Sequence, residues 1–498
     1  MGNRAAICDL ALWAALLAGA GCSLQVESGS ATGAPVTPPV TSGPGTYTGM
    51  GSCASAGCHG RPFNGSKRDW TTAYSVWLCE DPHRRAFEVL YAERSVEMYR
   101  NLQRATKLAD DSPADATYLE FLEQRCIGCH ATERRSEASS ATASTNSPSK
   151  YLSGVHCESC HGAAGGWLHD HYISAWPKPG TTKRASLNPT GFRDTKDLRT
   201  RAGVCVDCHV GPQIHSGRMY DVNHDLIAAG HPRLTFEFDT YLENYPKHWD
   251  AAADVARHQQ AGGSFHVDAW RFGQEQIARQ LVEQIRLRLA DSNSSVADFS
   301  SYECFDCHHA LGTHGSGTAA RGGMPRPALA ALESFESMQP RRTEFYGVRE
   351  FLRAGLSPTP NQVITLIEKV EGTLQAIDVA PLAPLSPSRL SDQASLLTAL
   401  LKRQEKQITF DRAVQFYLAV QALSRDLPDD GQRVELNVAT EKLFAALSDQ
   451  ANFGTSDGPL TQYDSPAHFD ADQVAPHLSQ IRTILEEYQS SSRAGATP

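Results

Sequence analysis

The chain has 498 residues, 41% of them hydrophobic and 20% charged, with a formal net charge of −10. This is the profile of a water-soluble globular chain, long enough for two or three domains. The acidic balance argues against a nucleic-acid partner and suits a redox protein with a basic docking patch better.

Residues 1–22 read as a secretory signal. Arg4 precedes a mostly apolar run from Ala5 to Ala20, interrupted by Asp9 and too short for a stable membrane span. Cys22 follows Leu17-Ala18-Gly19-Ala20-Gly21, which resembles a bacterial lipoprotein box except that Gly19 stands where a large residue is expected. Lipidation at Cys22 is the expectation, with ordinary cleavage nearby as the alternative. Residues 23–47, rich in Gly, Ser, Thr and Pro, read as a flexible tether. The expected address is the periplasm or the extracytoplasmic face of a bacterial membrane.

Residues 48–324 carry five cysteine pairs, each closed by a histidine. Four are regular: Cys126-x-x-Cys129-His130, Cys157-x-x-Cys160-His161, Cys205-x-x-Cys208-His209 and Cys304-x-x-Cys307-His308. The first is wider, Cys53-x4-Cys58-His59. Two thiols at this spacing can bond to the vinyl groups of one haem, and the adjacent imidazole can bind its iron from one face. Disulfides, zinc ligands or redox dithiols would leave the recurring histidine unexplained. The expected cofactor is haem c, five copies, with His59, His130, His161, His209 and His308 as proximal ligands. Cys79 stands apart from the motifs and is expected to be a buried thiol.

Few regular elements are expected here, because flat apolar haems would replace much of a side-chain core. A helix is predicted over 84–105, after Asp81-Pro82-His83, and a stronger one over 268–290, where Ile277, Leu281, Ile285 and Leu289 recur every four residues. Residues 131–150 read as a polar surface loop. Trp70, Trp77, Trp167, Trp176, Trp249 and Trp270 are expected to wall porphyrin edges.

Residues 325–490 change character and read as a helical domain. Amphipathic stretches are marked by Val363, Ile364, Leu366, Ile367 and Val370; by Leu396, Leu397, Leu400 and Leu401; by Val414, Phe416, Tyr417, Leu418, Val420 and Leu423; and by Val474, Leu478, Ile481, Leu485 and Tyr488. A bundle packed on the haem region is expected, or a homo-oligomer interface. Residues 491–498 read as a frayed tail. The expected fold class is mainly α: a multihaem cytochrome c domain with sparse secondary structure, followed by an α-helical bundle.

A low-spin haem needs a second axial ligand. Histidines outside the motifs and before the late pair His468 and His477 are His83, His156, His169, His171, His215, His224, His231, His248, His258, His266, His309 and His314. His83 follows a proline that can start a helical turn. One of His169 and His171 is expected to bind iron, with His171 favoured. His224 and His231 flank the apolar segment Leu226-Ile227-Ala228-Ala229. These four, His83, His171, His224 and His231, are the candidate distal ligands. The fifth is open among His156, His215 and His309. Arg218, Arg233 and Lys247 are candidate propionate partners or ordinary solvated charges.

Three segments carry a family likeness: Asp81-Pro82-His83-Arg84-Arg85-Ala86-Phe87-Glu88-Val89-Leu90, then Gly154-Val155-His156-Cys157-Glu158-Ser159-Cys160-His161-Gly162 with Trp167-Leu168 and His171, then Val222-Asn223-His224-Asp225-Leu226-Ile227-Ala228-Ala229-Gly230-His231-Pro232-Arg233-Leu234. With Cys205 to His209 they resemble the multihaem cytochrome c-554 family, named after the tetrahaem electron carrier of ammonia-oxidising bacteria. The likeness spans roughly residues 50–315. It implies an α-helical periplasmic electron carrier with closely packed, mostly bis-His haems, and it matches His83, His171, His224 and His231 to family ligand or near-haem positions. The wide first motif, the fifth motif and the long C-terminal part depart from the tetrahaem pattern.

The function expected is electron transfer between a redox protein or membrane quinol-linked donor and a periplasmic acceptor, rather than catalysis. The alternative is an oxidoreductase acting on hydroxylamine, nitrite or nitric oxide at one open-faced haem. No Cys-x-x-Cys-Lys site, as the pentahaem nitrite reductase has, is present. A structural or solute-binding module without redox chemistry is the third reading.

Overall fold

The computed structural model describes residues 45–132 apart from 64, 66–67 and 110–117, residues 153–290 apart from 180–183, 185–186, 216–217 and 233–235, and residues 382–494 apart from 405–407 and 451–468, with isolated positions between 298 and 375. The fold is mainly α: scattered short helices, then a packed helical bundle. No helix of the described residues is long and apolar enough to cross a membrane.

The scattered part opens with α1 (Ala73–Glu80). Asp81 ends it in an extended conformation and caps the next turn, Pro82–Arg85, by accepting the His83 amide hydrogen. The single helix predicted over 84–105 is instead two 3₁₀ turns, Pro82–Arg85 and Glu88–Tyr91, followed by α2 (Glu93–Ala109). Ala92 is extended at the break. The bend sinks Phe87 and Leu90 beside Leu122 and Ile127 of α3 (Tyr118–Arg125) and α4 (Ile127–His130), where a straight helix would carry them past that core. α5 (Cys157–His161), α6 (Leu198–His209, capped by Asp197), α7 (His224–Ala229, capped by Asn223), α8 (Phe238–Asn244, capped by Glu237) and α9 (Ala251–Gln260, capped by Asp250) follow. Between α6 and α7 lies an antiparallel hairpin, β1 (Gln213–His215) with β2 (Arg218–Tyr220), in which Ile214 faces Met219. The ring of Tyr220 covers Gly128 so closely that a Cβ there would lie 2.3 Å from it.

α10 (Phe265–Ala290) begins three residues before its predicted start. It is the wall shared by both parts. Phe265, Ala269, Phe272, Ile277, Leu281 and Ile285 pack with Leu198, Ala202 and Val206 of α6 and with Phe236, Phe238 and Leu242. Gly273 admits α8, since a Cβ there would lie 2.7 Å from that of Phe238. Val267 and Trp270 face the other way, into the bundle core. Trp270 is therefore a bundle residue and not a wall for the described motifs, because its side of the helix faces the bundle core.

The bundle adds α11 (Leu390–Gln404), α12 (Phe410–Asp426), α13 (Gly431–Gln450) and α14 (Ala471–Ala494). α12 touches α10, α11 and α13, while α14 packs on α11 and α13. The stretches read at 396–401, 414–423 and 474–488 are the faces that meet in this core. The one at 363–370 has all five of its marker residues outside the described residues. α13 was not anticipated. Its apolar residues fall on both sides, with Leu436, Leu443 and Leu447 buried but Val434 and Val438 exposed, so no single stripe marks it. Buried carboxylates pin the chain entering the bundle: Asp268 accepts the amide hydrogen of Leu385 and Glu275 that of Leu382, at 2.8 and 2.9 Å.

Candidate functional site

Each of the four described cysteine motifs lies in or against a helix, and its histidine is joined by a second imidazole from another segment. The ring centres of His59 and His171 are 6.2 Å apart, those of His209 and His83 5.9 Å, those of His130 and His231 6.5 Å, and those of His161 and His248 6.2 Å. A metal–imidazole bond is about 2.0 Å and a ring centre lies about 1.1 Å behind its nitrogen, so two imidazoles on one metal have centres about 6.2 Å apart. The ring planes are near parallel in the first pair (17°) and steeply crossed in the others (87°, 89° and 76°).

The opposite edge of most of these rings is already engaged. Nδ1–H donates to the carbonyl of Trp70 from His59, of Ala86 from His130, of Leu168 from His171 and of Pro232 from His231. His161 Nδ1 meets the Thr195 hydroxyl at 3.3 Å, and His83 Nδ1 meets the Asp81 carboxylate at 2.8 Å. Such contacts fix the tautomer and leave Nε2 for a metal. Burial favours the neutral, ligating form of four of the rings. It pushes His161 down to about 3 and His209, His231 and His248 down to about 4.

Among the described residues no cysteine is in a disulfide. Burial pushes the thiols of Cys126 and Cys160 up to about 12 and raises that of Cys205 as well. Cys53 hydrogen-bonds to Cys157, which lowers it to about 7. Among the described residues no group of three or more His, Cys, Asp or Glu side chains could hold a metal. The imidazoles meet in twos, which is the number of axial ligands a haem iron takes.

The four sites have a definite order in space. The Met50–Cys53 turn of the first motif packs on α5 of the third. α5 of the third packs on α6 of the fourth, and the turn that sets His83 against His209 of the fourth also gives the Ala86 carbonyl that holds His130 of the second. The sequence of neighbours is therefore first, third, fourth, second. Local devices hold it. Glu158, inside the third motif, accepts amide hydrogens from Thr48, Gly49 and Ala164 at 2.9, 2.8 and 2.7 Å, which clamps the approach to the first motif. The turn at Pro82–Arg85 serves two sites at once, with His83 facing His209 and the following Ala86 carbonyl holding His130.

These surroundings fit haem. Large apolar side chains stand exposed beside the imidazole pairs, with Trp70 62% and Tyr172 67% accessible at the first site and Tyr241 exposed at the fourth. Meanwhile both ring nitrogens of His156, Nε1 of Trp167 and Nδ1 of His248 are buried without a hydrogen-bond partner. Water-facing apolar rings beside sealed polar atoms suit a flat apolar group with polar edges.

Of the candidate distal residues, His83, His171 and His231 each face a motif histidine. His224 does not join these four pairs; it opens α7, and its amide donates to Asp298 at 2.9 Å. His248 takes the remaining place opposite His161. It was counted but not singled out, although Pro246 two positions earlier and Trp249 after it were a usable signal. His169 is largely exposed beside Asp170. His258 and His266 instead pair with Asp268 and Asp239, both at 2.9 Å. Cys79 is exposed, contrary to expectation, because α1 turns it away from the side that buries Val76 and Trp77. Lys247 bonds the Glu243 carbonyl at 3.0 Å. Cys22, Cys304, Cys307, His308, His309, His314 and Arg233, and the side chains of Arg218 and His215, lie outside the described residues.

The family model for cytochrome c554 and c-prime matches residues 78–162, the stretch holding His83 and the second and third motifs. This is a partial similarity that links the chain to c-type cytochromes and electron transfer. No curated protein and no solved structure matches the chain.

Proposed function

We propose that the chain is a pentahaem c-type cytochrome that moves electrons through closely spaced, mostly bis-His haems on the extracytoplasmic side of a bacterial membrane. The observation that carries this reading is the set of four imidazole pairs, each at the separation that one axially ligated iron requires. Haem c supplies a one-electron iron couple. The chain's own residues do the rest. Cys53 and Cys58, Cys126 and Cys129, Cys157 and Cys160, Cys205 and Cys208, and Cys304 and Cys307 tether the groups. The paired imidazoles would hold each iron between them, which favours electron transfer over substrate binding. The neighbour order first, third, fourth, second would set four of the groups along one path. His224 joins His156, His215 and His309 as a candidate for the fifth site, since its amide donates to Asp298, six residues before Cys304. An exchange partner would be a redox protein or a quinol-linked membrane donor, and Cys22 would tether the folded part to the membrane through residues 23–47.

The test is electron paramagnetic resonance of the purified protein with haem counting by pyridine haemochrome. Five haems with low-spin ferric signals are expected. A high-spin iron that binds nitric oxide or hydroxylamine without displacing a ligand would favour an oxidoreductase instead.

A further inference from the structure

We propose that Asp81 and Tyr245 are positioning residues that link the second imidazoles of the third and fourth sites and set the fourth haem's potential below those of its neighbours. The inference rests on reading His83 and His248 as iron ligands. Asp81 sits between α1 and the turn that presents His83, and its side chain is 2% exposed. One carboxylate oxygen accepts both the His83 amide, at 2.9 Å, and His83 Nδ1–H, at 2.8 Å. The other accepts the hydroxyl of Tyr245. Tyr245 follows directly on α8, and its amide still bonds the Tyr241 carbonyl at 2.9 Å. Its ring centre lies 5.9 Å from that of His83 and 6.0 Å from that of His248. One tyrosine thus stands against the imidazoles of two adjacent sites, and three residues later its own segment delivers one of them.

The charge of the partner is what matters. His59, His130, His171 and His231 give their Nδ1–H to neutral carbonyls, and His161 meets a neutral hydroxyl. Among the described residues, His83 is the paired imidazole that has a carboxylate in that place. An anion accepting Nδ1–H makes the imidazole a stronger donor and stabilises ferric over ferrous iron. The Tyr245 hydroxyl draws on the same carboxylate and tempers that effect. The fourth site lies between the third and the second, so the lowest potential would fall inside the path and not at an end.

Spectropotentiometric titration of the holoprotein, followed by paramagnetic resonance, tests this. Asp81→Asn should make one haem easier to reduce by roughly tenfold, about 59 mV for a one-electron couple. Tyr245→Phe should move the same haem the opposite way. Haem content and low-spin signals should stay at the wild-type level in both. Midpoints that do not move in Asp81→Asn, or that rise in Tyr245→Phe, would overturn the inference. Should Asp81→Asn lose a haem, Tyr245→Phe decides alone: a lower midpoint supports the link, and an unmoved one refutes it. Failure of the underlying reading looks different, since His83→Ala would then leave every iron low-spin.

Discussion

Arg425 of α12 and Asp239 of α8 form an ion pair in which the aspartate side chain is buried. The same carboxylate takes Nδ1 of His266 at 2.9 Å, and two residues on from α10's first residue Val267 gives its amide hydrogen to Asp426 at 2.8 Å. The bundle therefore grips α8, the helix that leads through Tyr245 to His248. The C-terminal helices are thus tied to the segment that delivers an imidazole to the third site.

That grip should loosen as pH rises. Burial pushes Asp426 up to about 6 from 3.8, and burial with the charge of Asp239 pushes Glu237 up to about 7 from 4.5. Burial opposes protonation of His266, but the Asp239 hydrogen bond and charge outweigh it and raise the ring above 6.5. Each group holds its proton more tightly folded than unfolded, so the stability it adds is full below its ordinary value and lost as pH climbs through the raised one. Asp426→Asn should remove the loss between about pH 4 and 6, an effect of at most about 3 kcal/mol. Thermal unfolding across pH checks this; equal slopes in variant and wild type would refute it.

Replacing His248 with Ala should turn one low-spin haem high-spin, raise carbon monoxide affinity at that iron, and leave the haem attached through Cys157 and Cys160. An unchanged low-spin spectrum with full haem content would remove His248 from the ligands.

Intact mass of the mature protein should exceed the polypeptide by five haems. The wide first motif carries the risk. A gain of four, with Cys53 and Cys58 open to alkylation, would show that this loop is not used.

Gly273→Ala should destabilise the protein by roughly 1–3 kcal/mol, because the added methyl meets the Phe238 Cβ at 2.7 Å and the two helices must part. Tyr241, on the same short helix, touches His209, so the spectrum of the fourth haem should shift as well. Urea denaturation with visible spectroscopy reads both, and a variant as stable as wild type with an unmoved spectrum would count against that close approach.

Cys22→Ala should move the protein from the membrane fraction to the soluble periplasm with its haem spectrum intact. A wild-type protein that is already soluble, with its first residue elsewhere, would end the lipid-anchor idea.

The cysteine motifs were legible in the sequence because they are a matter of local spacing, and local spacing is what a sequence displays. So were the faces of α11, α12 and α14, where one-sided apolar periodicity maps onto one buried side. α13 escaped because its exposed Val434 and Val438 blur that contrast, and the 84–105 helix was overdrawn because the core claims Phe87 and Leu90 from a bent chain. Which imidazole faces which was decided only by the tertiary structure. His83 meets His209, and His161 meets His248, across long stretches of chain, and no periodicity reports a pairing between distant segments. The same holds for the order of the sites and for Tyr245 on Asp81, which exist only because α8 packs through Gly273 against α10 and is held there by the bundle.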